Sequence, residues 1–200
     1  YKTEVVNNMI CDYQYVLKAP VETSNDAAEK FCMTTLYESN DEEISAYGIE
    51  NGSEYLSKVN VPKKKNEVVA SQGYLEKYSL KVGDRVTLKD KYGENKYTFK
   101  IVGSYYYPAS LCVFMTNDNF NDVFDKDDGY FTGYFSKEKL KDIDDKYIAT
   151  TITQKGLTTV TDQLDDSMGM SFTLLVGFSV LIYIILMYLL SKLVIEKNEQ

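Results

Sequence analysis

The sequence contains no histidine and no tryptophan, and only three prolines and three cysteines in 200 residues. Without histidine there is no Ser-His or Cys-His pair, no histidine-containing zinc site and no side chain that ordinarily titrates near neutrality. Three cysteines are too few for a disulfide scaffold, and a chain of this length buries a core without such staples. Basic residues are also in deficit, 22 against 30 acidic ones for a formal charge of −8, which argues against a surface that tracks a nucleic-acid backbone. What is abundant is aromatic surface, with eighteen tyrosines and nine phenylalanines. Hydrophobic residues make up 44% and charged residues 26%, so the chain as a whole is neither disordered nor a multi-span bundle.

Those averages conceal one long exception. Residues 167–191 carry no charge, and 172–190 read FTLLVGFSVLIYIILMYLL. As a helix the uncharged run extends about 37 Å, enough to cross about 30 Å of hydrocarbon with some tilt. The alternative is a buried helix of a large soluble core, but such helices usually keep a polar stripe, and Thr173, Ser179 and Tyr183 do not form one. The run is read as a transmembrane helix, too far along the chain to be a signal peptide. Asp162, Asp165 and Asp166 precede it and Lys192 and Lys197 follow it, which places the C-terminal side in the cytoplasm and residues 1–166 outside. The whole charge of −8 then lies on the outer side, because Lys192 and Lys197 balance Glu196 and Glu199.

The chain begins without methionine or a targeting pattern and reads as a piece of something longer. Residues 11–18 alternate as a strand ending near Pro20, and SNDAAEK at 24–30 reads as a short helix capped by Ser24 or Asn25. Strands are expected at 31–37 and 44–49, separated by ESNDEE. Residues 66–80 combine a short strand with a helix presenting Tyr74, Leu75 and Tyr78 on one face, and 81–107 form a hairpin around DKYGEN. Further strands are expected at 112–115, 130–135 and 148–153, with helices at TNDNFNDVF, capped by Thr116 or Asn117, and at SKEKLKDIDDKY. Residues 156–166, with Leu157, Val160 and Leu164 on a stripe, form a stalk continuous with the span. The fold class is α+β: a mixed ectodomain with a small β-rich hairpin module, then one C-terminal transmembrane helix. The expected divisions are 1–166, with two lobes of about 1–60 plus 108–155 and 61–107, then 167–191 as stalk end and span, and 192–200 as the start of a cytoplasmic segment.

Few residue sets invite chemistry. Cys11, Cys32 and Cys112 lie on the outer side, either with a bridge between Cys11 and Cys32 or as three partly buried free thiols, and no base is at hand to activate one. Asp122, Asp125, Asp127 and Asp128 suggest calcium, but Phe124 and Lys126 stand where an EF-hand register needs ligands, so a solvent-facing acidic loop is the expectation. Asp142, Asp144 and Asp145 lie in a lysine-punctuated segment read as a water-facing helix, and Lys63, Lys64 and Lys65 as an exposed basic loop. Tyr105, Tyr106 and Tyr107 cannot all share one strand face, so at least one is exposed or at a seam. Tyr188 suits a membrane interface and Tyr183 the side of a neighbouring helix. No catalytic, cofactor-binding or metal-binding residue is nominated.

NEVVASQGYLEKYSLKVGDRVTLKDKYGENKYTFKIVGSYY, and the span with its exit at Glu196, Lys197 and Asn198, resemble the extracytoplasmic region and following helix of ABC-transporter permeases of the FtsX/MacB type. The resemblance covers about residues 60–107 and 165–199. It implies a bacterial cell-membrane transport component that is not itself an enzyme, paired with a second permease copy or half. A separate cytoplasmic ABC ATPase would carry ATP and magnesium, since no Walker-A motif occurs here. It also implies a peptide, lipid or lipoprotein substrate, with export or antimicrobial-peptide resistance among the outcomes, and no nucleic acid. The alternatives are a receptor or adhesive ectodomain on a single anchor and, third, a regulator of a cell-wall hydrolase through an FtsX-type mechanism.

Overall fold

The computed structural model describes residues 11–198, with the backbone alone for 154–169 and 193–198. The chain divides into two units at Leu157 and Thr158. Among the described residues, the first is a mixed α/β domain of nine strands and two short helices, and one long apolar helix fills most of the second.

Strands β1 (Tyr13–Leu17), β2 (Glu29–Tyr37), β3 (Glu43–Ile49) and β4 (Glu67–Ser71) precede helix α1 (Gln72–Tyr78). Strands β5 (Arg85–Lys89), β6 (Lys96–Tyr105) and β7 (Cys112–Thr116) precede helix α2 (Asn117–Val123), and β8 (Gly133–Ser136) and β9 (Ile148–Thr153) complete the sheet. Its order is β3-β7-β4-β6-β5-β2-β8-β1-β9, and β3 also pairs with β2, so six of the strands form a ring. All six contribute alternate residues to one buried cluster, among them Leu36, Ile44, Val68, Leu88, Phe99, Ile101 and Val113. The opposite faces of β3, β4 and β7 place Tyr47, Val69 and Phe114 in a second cluster, covered by Tyr55, Leu56, Val59 and Val61. β7 is buried on both faces, which is why its sequence, CVFM, is apolar without alternation.

Local signals account for several elements. The β5–β6 hairpin sets Lys89 opposite Lys96 across the expected turn, where Asp90 accepts from the backbone of Glu94 and Asn95. Thr116 caps α2 by accepting from Asn119 N–H at 3.1 Å. Helix α1 ends on Ser79 at φ +54°, and Leu80 N–H reaches back to the Leu75 carbonyl, the arrangement that usually recruits glycine.

Two expected helices are absent. At 24–30 the Asn25 side chain accepts from Ala27 N–H at 2.9 Å, which fixes a turn, and β2 has begun by Glu29. SKEKLKDIDDKY is mostly irregular, with a single 3-10 turn at Asp145–Tyr147. Its backbone is satisfied by side chains, since Leu140 N–H donates to the Tyr15 hydroxyl and Asp144 accepts from Lys146 N–H. Leu140 and Ile143 are nonetheless buried, so their helix-like spacing reflects burial and not a helix.

Helix α3 (Gln154–Asn198) follows β9 directly. The expected stalk is therefore helical, whereas the side chains of its Leu157, Val160 and Leu164 stripe lie outside the described residues, as do those of Glu196 and Lys197. Met170–Lys192 is long and apolar enough to cross a membrane, and its side chains are exposed.

Candidate functional site

The thiols are buried and unbridged. Loss of hydration raises each of Cys11, Cys32 and Cys112 to about 12, with Asp118 adding to the effect at Cys32. A thiol held so far above neutrality supplies almost no thiolate, so none of the three is prepared as a nucleophile.

The carboxylates are tied to structural tasks or face water. Asp142 accepts from the Thr23 hydroxyl at 2.8 and 2.9 Å, from Ser24 N–H at 2.7 Å and from the Ser24 hydroxyl at 3.0 Å. Those bonds, chiefly the one from Ser24 N–H, hold its carboxyl below the usual range and pin residues 23–24 to the 136–147 segment. Asp122, Asp125 and Asp128 border a recess of about 350 Å³ with Asp118 and Lys126, open to solvent. Among the described residues no three side chains of His, Cys, Asp or Glu, these aspartates included, come together in a way that could hold a metal ion. The three lysines are exposed, and Lys65 reaches Asp122 at 2.9 Å.

The tyrosine triplet lies where β6 leaves the sheet. Tyr105 and Tyr107 turn inward and stack at 6.5 Å, both meeting the Phe114 ring edge-on, while Tyr106 is 50% exposed. Tyr47 lies flat on Phe114 at 5.6 Å. Burial raises the phenols of Tyr47, Tyr105 and Tyr107, so they stay protonated and serve as packing. On the outer side, Tyr106, Pro108 and Leu111 border a recess of about 380 Å³ against Gln72, Gly73 and Glu76 of α1. Sequence reasoning located the triplet but not this recess, which needs the α1 surface brought beside the 106–111 loop. In the span, Tyr183 and Tyr188 are both exposed.

No nucleophile with its base therefore emerges among the described residues. The features with functional content are a compact domain with an aromatic shelf and a helix suited to a membrane.

No family model matches the sequence, and no curated protein matches it. Among solved structures, the periplasmic region of MacB from Actinobacillus actinomycetemcomitans is similar with a TM-score of 0.43 and 8% identity, over 80% of this chain and 97% of that one. A likeness of this size assigns neither family nor function.

Proposed function

We propose that this chain is the extracytoplasmic domain and following span of an ABC-transporter permease of the FtsX/MacB type, lodged in a bacterial cell membrane with residues 1–166 outside. The observation that carries the reading is the junction of β9 and α3: Thr153 ends the last strand, Gln154 begins a helix, and that helix runs through the apolar segment to Asn198 without an intervening loop. A displacement of the span then has a helical route to the sheet. The sequence resemblance of residues 60–107 and 165–199 supports the same assignment. In this reading ATP and magnesium bind a separate cytoplasmic subunit, whose closure moves the ectodomain against a peptide, lipid or lipoprotein, and a second permease copy or half completes the assembly. Function then depends on two arrangements biased by nucleotide rather than on chemistry in this chain.

The test is purification of the parent protein from its native membrane in mild detergent, with mass spectrometry of stoichiometric partners. Recovery of an ABC ATPase is the expected result. A single-span protein recovered alone in several detergents would replace the proposal with a singly anchored receptor or adhesin.

A further inference from the structure

The six-stranded ring closes unevenly around the segment that carries β4, α1, β5 and β6. On one side the closure is backbone: Val69 faces Phe114 and Ala70 faces Val113 between β4 and β7, and Cys112 N–H donates to the Ser71 hydroxyl at 3.0 Å. All of these residues are buried. On the other side β5 meets β2 at one register position, Tyr37 opposite Lys89. The far end of β2 turns to β8 instead, through Glu29, Lys30 and Phe31, leaving Thr35 exposed in the opening between.

Side chains hold this second side. The β2–β3 turn lies against α1 and β5 as a strap: the Tyr74 hydroxyl donates to Glu38 and the Lys77 ammonium to Glu42. The Tyr78 hydroxyl reaches Glu42 at 2.6 Å and Asn40 at 3.0 Å, and Lys89 reaches Asp41 at 2.5 Å. Beside this side, Phe124 at the end of α2 packs its ring edge-on against Tyr97 of β6 at 4.9 Å, and Tyr97 in turn pairs with Leu88 of β5. Exposed ion pairs hold weakly and are screened by salt, whereas a buried backbone ladder is not. Local openings follow the weaker closure.

We infer that the β2–β5 seam is an opening built into the domain. Residues 67–105 form a lip that swings about the β4–β7 side when the strap releases α1 and β5. The interior shared by all six strands keeps this a minor, reversible excursion that uncovers Val86, Leu88 and Phe124. The inference concerns the folded domain and does not rest on the permease reading, so co-purification of an ATPase neither supports nor harms it.

Thiol labelling of the full chain in lipid nanodiscs tests it. Val86→Cys places a reporter of nearly conserved volume under the seam, and native Cys112 serves as the reporter on the hinge side. The expected result is faster labelling at position 86 than at Cys112, with a further rise of about tenfold in the Lys77→Ala/Tyr78→Phe background and no change at Cys112. Salt supplies a second measurement without strap substitutions: raising it from about 0.05 to 0.5 M should accelerate position 86 alone. Equal rates at the two thiols, or rates that rise together with salt, mean global unfolding rather than a seam and would overturn the inference.

Discussion

Gly133 offers the sharpest check on the strand register. It lies on β8 between two partners, opposite Val16 of β1 and Phe31 of β2. A Cβ at this position would stand 1.8 Å from the Tyr15 carbonyl oxygen and 2.8 and 2.9 Å from two carbons of the Phe31 ring. The ring is fully buried and stacked on Phe135 at 4.4 Å, so it has little room to retreat. The carbonyl belongs to the backbone of β1, so relief requires β1 to part from β8. Overpacking that side chains can absorb costs about 1–3 kcal/mol, and a clash with backbone belongs at or beyond the top of that range, about 3–4 kcal/mol.

For a domain of this size each kcal/mol moves Tm by roughly 2–4 °C, so Gly133→Ala should lower it by roughly 6–16 °C. Near-UV circular dichroism of the tyrosines in the detergent-solubilised chain reads the transition without interference from tryptophan. Gly73→Ala is the control: its Cβ meets only Leu111 at 3.7 Å, inside α1, where alanine gains up to about 1 kcal/mol over glycine. A Gly133→Ala variant within about 2 °C of the parent would refute the β2–β8–β1 register, whatever Gly73→Ala does.

Ser79→Gly should raise stability by about 0.5–1 kcal/mol in the same melt, because Ser79 holds φ +54° where glycine is unstrained. Cys11, Cys32 and Cys112 should resist a thiol probe at pH 8 in the folded chain and all react in denaturant; rapid labelling of one without denaturant would contradict its burial. Asp142 titrates below its ordinary 3.8 when folded, so its contribution is present above that value and lost as pH falls through the lower folded one. Asp142→Asn should therefore flatten the acid limb of the Tm-versus-pH curve below about pH 4, and an unchanged limb would remove Asp142 from that role. Ile182→Lys, near the middle of the apolar segment, should impair insertion by about 3–4 kcal/mol in a glycosylation-mapping assay, and unaltered insertion would argue against a spanning segment.

Elements written in short-range pattern were legible from sequence, and those made by distant residues were not. The β5–β6 hairpin, the β4–α1 pair and the Thr116 cap each depend on residues close together in the chain, at most from Arg85 to Lys100 in the hairpin. SKEKLKDIDDKY misled because its lysine-punctuated pattern reads as a water-facing helix, whereas Leu140 and Ile143 are buried and the groups that displace the helix come from far away: Tyr15 takes the Leu140 N–H, and Thr23 and Ser24 hold Asp142. The tyrosine triplet announced that its members must divide between inside and outside, since successive strand residues face opposite ways. Its recess on α1 carried no signal, because nothing in residues 106–111 names the helix surface that meets them.

The same distinction explains why the seam was invisible in the sequence. Tyr37 and Lys89 are an unremarkable pair until the β2–β3 turn is placed on α1, and the strap draws its members from 38–42, 74–78 and 89, three segments with no common pattern. A buried ladder recruits apolar, β-branched strands that can be recognised in advance, as Val68–Ala70 and Val113–Met115 can. Apart from the buried Tyr74, the strap is made of half-buried or exposed carboxylates, lysines, an amide and a tyrosine, residue types that look like ordinary surface. Soft closures are therefore hidden from pattern reading by the same property that makes them soft, since their carboxylates and lysines are the residue types of solvent-facing loops.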